Sequence, residues 1–336
     1  MTIIIGSHNI KKVINEKKGK VKSVMKKVLH VLLFIIILLL VGIPSHAASF
    51  DVTAGIGKLS GDTTYRIGYP VNWVNFGTEE GYFPFSQLEF PLDAYMLSLG
   101  GNVEFTDRWK GSLTIQKNIT DDPGETEDSD WITESDPTRL DVFSTSNTEL
   151  DAMIWDINLG YTLYKTPRLS LTIGGGYLHQ NFDFKCRLIR QYSPSGLSGY
   201  DYTGDGSVAL TYEITYAIPY IEFVIQSHVT DNFSMEASLG YSPFVSVEDE
   251  DQHLLRNKVN RGDLEGEAFL FSVNGRYTIF TNWFLMLGVD YVKIETDKGD
   301  MVATFSGANS IYNHTVTEEV ESTQTTAMFT VGYAFQ

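Results

Sequence analysis

The sequence has few of the residue types that define several common protein classes. Cys186 is the only cysteine in 336 residues, so no intramolecular disulfide can form. No Gly-x-Ser-x-Gly segment occurs, so serine-nucleophile chemistry lacks its usual strained turn. Proline is sparse, at 10 residues, and no low-complexity stretch divides the chain. The scarcity of proline and the lack of low-complexity segments favour one continuous structure over domains joined by linkers.

Long apolar runs are also scarce. The longest, residues 31–41, holds 11 residues, and a membrane-spanning helix needs about 20. Lysines precede this run, and small residues follow at the two positions that a signal peptidase reads. The pattern predicts that residues 1–47 are a secretory signal peptide, cleaved after Ala47 or Ala48, with Met25 as an alternative start. A retained helical anchor is the other interpretation.

Positive charge is in short supply. The chain has 25 basic and 42 acidic residues, and residues 1–47 hold eight of the former and one of the latter. The exported part therefore keeps 17 basic and 41 acidic residues, a net charge of −24. So acidic a surface disfavours nucleic acid as a partner and favours cationic molecules.

Short turn motifs recur along the chain. Three contain a Thr-Asp or Thr-Asn pair flanked by apolar or aromatic residues, and a Thr-Pro pair takes the same place once more; they lie at residues 105–109, 165–168, 229–233 and 280–283. Each separates segments in which apolar and polar side chains alternate, such as residues 169–174 and 233–239. This period of two predicts antiparallel strands joined by tight hairpins. The flanking aromatic residues predict a girdle at a membrane interface.

Long polar connections alternate with these turns. They are predicted near residues 70–85, 121–147, 191–207, 250–264 and 298–318. Nine connections make ten strands, an even number as in outer-membrane barrels. The strand segments run to about 15–20 residues, whereas strands of soluble proteins have about 5–6, which favours a barrel over a soluble β-sandwich. We predict an all-β fold, a ten-stranded antiparallel transmembrane β-barrel over residues 48–336, with its long loops facing outward.

Two acidic motifs fall in the second and fourth of these loops. Asp128 and Asp130 precede Trp131, and Asp251 lies two residues before His253. Residues i and i+2 of an extended strand project to one side, so Asp251 can orient His253 and leave one ring nitrogen to act as a general base. Two close carboxylates resist double ionisation, so one of the first pair keeps a proton. The motifs predict hydrolysis by an activated water.

Other interpretations of these residues stay open on the sequence alone. The acids around Asp128 are also typical of a solvated loop or a loose cation site, and the acidic run 248–251 offers oxygen ligands for Ca²⁺. His253 alone is also typical of an exposed histidine without a role. Cys186 lies in an apolar and basic stretch that gives no sign of a nucleophile. The remaining histidines of the exported part lack a comparable motif: His179, His228 and His314.

The sequence resembles the omptins, a family of outer-membrane endoproteases with a ten-stranded barrel fold. The resemblance rests on the order of the two acidic motifs and on three strand segments: Leu59-Ser60-Gly61 with Thr64 and Arg66, Ser86-Gln87-Leu88-Glu89, and Ile218-Pro219-Tyr220-Ile221. It implies that Asp128, Asp130, Asp251 and His253 form an outward-facing catalytic site. The attacking water is then held between Asp128 and His253, without a metal or another cofactor, and peptides or proteins are the substrates.

The resemblance also implies a substrate pocket, from which this sequence departs. Many omptins cleave beside basic residues because two acids line the pocket; one of these positions matches Asp249, and the other aligns with Tyr65. The face of a tyrosine ring attracts a cation by about 0.5–2 kcal/mol. We therefore expect Asp249 and Tyr65 to bind substrate, with a softened preference for cationic peptides or proteins.

The expected contacts with lipid depart from the family too. Omptins hold lipopolysaccharide phosphates with basic residues on the outer barrel wall, and two of those positions align with Asn181 and Thr215. Lys185, Arg187 and Arg190 lie further along the same strand and are candidate substitutes, or else ordinary charges of the rim. Outer-membrane lipid is an expected partner, and a requirement for lipopolysaccharide stays open.

Two other classes of function fit a small outer-membrane barrel. One is a channel or porin, which a narrow ten-stranded lumen disfavours because porins use about 16–18 strands. The other is an adhesin barrel without catalysis. A channel conducts ions in a planar bilayer, an adhesin binds its partner even after Asp128→Ala, and a protease turns over peptides.

Overall fold

A computed structural model describes residues 49–69, 83–133, 135–306 and 311–335 of the chain. The predicted signal peptide 1–47 and the stretch 70–82 lie outside the described residues. Among those described, no helix is long and apolar enough to cross a membrane. Fourteen strands are present in the described part: β1 Ser49–Gly68, β2 Ser86–Pro91, β3 Ala94–Glu104, β4 Trp109–Asn118, β5 Gly124–Asp130, β6 Val142–Lys165, β7 Leu169–Tyr192, β8 Tyr202–Thr203, β9 Val208–His228, β10 Phe233–His253, β11 Lys258–Thr278, β12 Trp283–Thr296, β13 Gly299–Ser306 and β14 Ile311–Phe335.

The strands close into a ring at two levels along the barrel. The lower level is the end that carries the short turns, and the upper level is the opposite end. The lower ring runs β1-β3-β4-β6-β7-β9-β10-β11-β12-β14 and returns to β1, and every pair in it is antiparallel. In the upper ring β2, β5 and β13 take the places of β3, β4 and β12. Ten strands therefore surround the lumen at each level. The prediction of a ten-stranded antiparallel barrel is confirmed.

Three of the ten chain passes are interrupted between the two levels. At one break, between β4 and β5, the Asn118 side chain donates to the carbonyl oxygens of Thr120 and Leu150 and accepts from the amide of Ala152. These bonds replace the ladder bonds that the break removes. In β10 the pairing register shifts around Pro243, where a bulge accommodates a residue that has no amide hydrogen.

The four short turns are where the sequence predicts them. Each joins two strands, and in three of them, at Thr106, Thr166 and Thr230, the threonine hydroxyl accepts hydrogen bonds from amides that close the turn. Thr106 accepts from Arg108 and Trp109 at 3.2 and 3.0 Å, and Thr230 accepts from Phe233 at 3.0 Å. The threonine recurs because its side chain satisfies amides that no strand partner reaches.

The lower ring carries an apolar band on its outside. Large exposed side chains alternate with inward-facing ones, as Tyr95, Leu97 and Leu99 do on β3. β3 and β4 have 11 and 10 residues, which matches the about 9–11 residues that a strand needs to cross a membrane. Aromatic pairs lie near the short turns, for example Trp109 with Tyr161 at a ring distance of 5.0 Å. This arrangement fits the predicted girdle.

The upper ring corrects the prediction of long loops. The segments 121–147, 250–264 and 298–318 hold β5, the meeting ends of β10 and β11, and β13 with the start of β14. The connection between β10 and β11 is only four residues long. These strands are rich in charged residues and lack the alternation of a strand that faces lipid, so the sequence pattern did not reveal them. Asp128 and Asp130 consequently lie on a strand and not in a solvated loop.

Aromatic side chains fill the lumen below the outer end of the upper ring. Six of them are fully buried, and we call them the aromatic layer: Tyr65, Phe90, Phe182, Phe184, Tyr212 and Tyr216. The rings of Phe90 and Tyr212 lie 4.5 Å apart and those of Tyr65 and Tyr212 5.2 Å apart. Beneath this layer a polar cavity of about 750 Å³ extends to the short turns. The layer separates that cavity from the outer end of the barrel.

Candidate active site

The two acidic motifs lie on facing walls of the upper ring. Asp128 and Asp130 end β5, and Asp251 and His253 end β10. Four steps of strand pairing, through β6, β7 and β9, separate β5 from β10 in a ring of ten. Burial is the largest influence on the pKa of Asp128 and of Asp130; beside it, the charge of Asp251 raises the pKa of Asp128, and a protonated His253 lowers that of Asp130. The structure therefore brings the four side chains to one site across the lumen.

Asp251 and His253 form a hydrogen-bonded dyad. Nε2 of His253 lies 2.9 Å from Oδ2 of Asp251, and the same oxygen accepts from the Tyr65 hydroxyl at 2.6 Å and from Nδ2 of Asn260 at 2.9 Å. Burial raises the pKa of Asp251, but its interaction with His253, the hydrogen bond from Tyr65 and the charge of Lys258 together outweigh burial, and the net shift is downward. Asp251 is thus a buried carboxylate that three donors hold in place.

His253 has the protonation state of a base. Burial lowers the pKa of its imidazole below 6.5, the charges of Arg256 and Lys258 lower it further, and Asp251 opposes both effects. The ring is therefore neutral at neutral pH. Because Nε2 faces Asp251, Nδ1 is the nitrogen that carries the free electron pair.

Asp128 and Asp130 form an acid pair in which protonation is favoured. Burial and then the charge of Asp130 raise the pKa of Asp128 well above 3.8, which favours the protonated form of Asp128. Burial also raises the pKa of Asp130, and a hydrogen bond from Ser86 partly offsets this. Oδ1 of Asp128 is buried and has no hydrogen-bond partner among the described residues. That oxygen is available to a water or a substrate carbonyl.

Two cations beside the site were missed by the sequence analysis. An Nη atom of Arg256 lies 2.9 Å from Nδ1 of His253, and Lys258 begins the next strand. Burial lowers the pKa of Lys258, whereas the charges of Asp251 and the acid pair raise it. The only sequence signal was the position of both residues directly after the Asp-x-His motif.

Comparison with known proteins identifies the family. The sequence model of the omptin family matches residues 46–336. The chain belongs to the omptin family. It is 24% identical to the plasminogen activator of Yersinia pestis over 261 residues, which cover 75% of this chain and 78% of that protein. It also superposes on the crystal structure of the outer membrane protease OmpT from Escherichia coli with a TM-score of 0.75 at 19% identity, over 85% of this chain and 97% of that one.

Family membership and fold agree on the coarse function. This omptin is an outer-membrane protease whose active site faces outward, and its substrates are peptides or proteins. The predictions of family, fold and location are confirmed.

Deeper in the omptin's lumen a second acid pair lies below the dyad. Asp249 faces inward two residues before Asp251, about 7 Å deeper along the strand. Its carboxylate accepts from the Tyr212 hydroxyl at 3.0 Å and from the Gly262 amide at 2.8 Å. Glu318 of β14 touches it, and burial and then Asp249 raise the pKa of Glu318 well above 4.5. Burial and the neighbouring charge of Asp249 thus both favour the protonated form of Glu318.

Glu318 is fully buried, and among the described residues neither of its carboxyl oxygens has a hydrogen-bond partner. This agrees with a carboxyl that keeps its proton. No sequence motif points to Glu318, because it lies 69 positions after Asp249 in the chain. Gly262 is required beside the pair, since a Cβ atom there would come within 2.1 Å of Glu318 and 2.6 Å of Asp249.

Tyr65 lies at the dyad. It is fully buried, its ring stacks on that of Tyr212, and its hydroxyl bonds Asp251. The predicted contact between a substrate cation and the face of the Tyr65 ring needs an exposed ring, and this ring is buried in the described structure. The geometry instead makes Tyr65 a support of Asp251.

The outer wall presents few free cations at the positions considered for lipid. Nδ2 of Asn181 donates to Oγ1 of Thr215 at 3.0 Å. Arg187 pairs with Glu149 at 3.2 Å, and Arg190 pairs with Asp201 at 3.6 Å. In the described ranges no group of three or more His, Cys, Asp or Glu side chains is arranged to hold a metal ion.

Proposed function

We propose that this omptin is an aspartic-type endopeptidase that activates a water between Asp128 and His253. The observation that carries the proposal is an acid pair, whose raised pKa favours a bound proton, across the lumen from a histidine that a buried carboxylate fixes and whose pKa is lowered. A water at this place has a base on one side and an acid on the other.

The reaction follows from these protonation states. Nδ1 of His253 takes a proton from the water as its oxygen adds to the carbonyl carbon of the scissile peptide bond. The proton on Asp128 stabilises the negative charge that develops on the carbonyl oxygen. The imidazolium, held by Asp251, then gives its proton to the leaving amine as the C–N bond breaks. Asp251 keeps the imidazolium in place throughout.

The buried aromatic layer favours this function over a channel. It fills the lumen directly beneath the dyad, and two of its hydroxyl groups, from Tyr65 and Tyr212, bond Asp251 and Asp249. A pore needs an open path, whereas a protease benefits from a dry and rigid floor under its acids, because low polarity strengthens their interactions.

We also propose cationic peptides or proteins as the substrate class. The pair Asp249–Glu318 places two carboxyl groups in contact below the dyad, and the exported chain has a net charge of −24. A substrate ammonium or guanidinium group near the pair favours loss of the shared proton. The acid pair then carries a second negative charge. Glu318 thereby supplies the second acid that the alignment of Tyr65 leaves missing.

Cleavage mapping tests the proposed function. The refolded protein is incubated with a mixed peptide library, and products are identified by mass spectrometry with and without EDTA and lipopolysaccharide. We expect internal cleavage that neither addition changes more than about twofold, because the proposed chemistry uses no metal and the wall arginines are paired with acids. Loss of activity in EDTA that a divalent ion restores contradicts the proposal, as does the absence of cleavage under every condition.

The pocket acids give a separate prediction about selectivity. In Asp249→Asn and in Glu318→Gln, we expect the preference for Arg or Lys before the scissile bond to fall about tenfold, because a charge worth about 1–4 kcal/mol to a nearby cation is lost. Neutral peptides retain turnover. The exposed neighbour variant Glu248→Gln is the matched control and keeps the wild-type profile. An unchanged profile in both pocket variants rules out these acids as the pocket.

A further inference from the structure

Arg256 is bonded to the nitrogen that the proposed mechanism needs. Its guanidinium nitrogen lies 2.9 Å from Nδ1 of His253. A guanidinium group has donors only, so Nδ1 accepts this bond with its electron pair. The other ring nitrogen, Nε2, faces Oδ2 of Asp251. In this state the base has no electron pair left for a water.

The same guanidinium reaches the other half of the site. Its charge lowers the pKa of both Asp128 and Asp130, for each of which burial is the larger and opposite influence. It also lowers the pKa of His253. Lys258 acts on the same three groups, so it is the hydrogen bond to Nδ1 that places Arg256 at the site, on the nitrogen that an attacking water would have to reach.

The local structure allows this side chain to leave. Arg256 is exposed and lies in the four-residue turn between β10 and β11. Its amide bonds the carbonyl oxygen of His253, and its side chain makes one hydrogen bond within the described ranges, the one to Nδ1. Arg261, five positions on, points away from the site and pairs with Glu250 at 2.6 Å. Arg256 can therefore leave Nδ1 without breaking an ion pair to any of the described residues.

We propose that the gap between the acid pair and His253 is a guanidinium-binding site, that Arg256 is its resting occupant, and that substrate must displace this side chain before His253 acts as a base. The inference rests on the proposed function. The resting enzyme is then inhibited by its own side chain, because only the molecules in which Arg256 has left this place are competent to bind substrate. Substrates and free guanidinium compounds compete for the same place.

The activity test compares Arg256→Ala with wild type on one cationic peptide. We expect kcat/KM to rise about threefold or more, because the competent fraction grows when the occupant is removed. Guanidinium chloride at low, non-denaturing concentration then refills the gap and lowers the rate of Arg256→Ala towards the wild-type value. Arg256→Gln repeats the test with a side chain that carries no charge.

Arg261→Ala is the matched control, since it removes an arginine near the same turn that touches neither His253 nor the acids. It keeps the wild-type rate, and guanidinium lowers that rate by a smaller factor than it lowers the rate of Arg256→Ala. Heat-modifiable mobility on gels checks that each barrel is folded. A lower rate in Arg256→Ala that guanidinium raises overturns the proposal and makes Arg256 an assisting group. Equal rates overturn it too.

A second measurement does not depend on turnover. Diethyl pyrocarbonate acylates an imidazole nitrogen that has a free electron pair, and peptide mapping quantifies the modified His253. His179, His228 and His314 serve as internal references. We expect His253 to react about threefold faster or more in Arg256→Ala than in wild type. If no variant cleaves any peptide, the proposed function fails, and this rate alone decides whether Arg256 occupies the site; an equal rate overturns the occupancy.

Discussion

We expect His253→Ala to lower kcat/KM by about 10²–10⁴-fold, because loss of a general base typically costs that much. The barrel itself remains folded, since His253 lies at the outer end of β10 and its main partner, Asp251, keeps its bonds from Tyr65 and Asn260. The measurement is steady-state hydrolysis of one peptide, with heat-modifiable gel mobility as the check on folding.

The control is His228→Ala, which removes an exposed histidine at the opposite end of the barrel. It should leave activity unchanged. The pH profile adds a second readout. Because burial lowers the pKa of His253 below 6.5, the acid limb of wild-type kcat/KM lies below that pH. Activity of His253→Ala within tenfold of wild type removes His253 from the mechanism.

Asp128→Asn has the second large expected effect, a loss of about 10²-fold or more in kcat. Burial and Asp130 raise the pKa of Asp128, so in wild type it brings a transferable proton to the developing oxyanion. Asparagine keeps the shape but has no such proton. The double variant Asp128→Asn/Asp130→Asn should lose little more than the single one, because the two acids act as a unit.

Stability separates this catalytic effect from a structural one. An acid whose pKa is raised by folding destabilises the folded state at pH values above its unfolded pKa, near 3.8. Asp128→Asn removes that cost at neutral pH, so its melting temperature should equal or exceed that of wild type. Glu127→Gln, at the exposed neighbouring position, is the control with normal activity. A melting temperature lower by several degrees assigns Asp128 a structural role instead.

The amino-acid sequence by itself determined the barrel's lower half. The four turns with their threonines and the alternation along segments such as 169–174 are local patterns, and each is fixed by a few neighbouring residues and by contact with lipid or lumen. The position of the Asp251–His253 pair on one strand face follows from the same period of two. Strand number and the outward position of both motifs came from counting these units.

The upper ring and the side-chain contacts of the candidate site depend on tertiary structure. Strands such as β5 are held by pairing with β2 and β6 and not by an apolar pattern, so their sequence looks like a polar loop. Tyr65 meets Asp251 across 186 positions, and Glu318 meets Asp249 across 69.

Arg256 shows the same limit at short range. It lies three positions from His253, yet only the tight turn between β10 and β11 directs it back onto the imidazole. The sequence predicted the candidate catalytic residues, because their proposed chemistry depends on residue type and spacing and because both motifs resemble those of the family. Their partners were settled only by the closure of the barrel, which brings distant strands face to face and buries charges together.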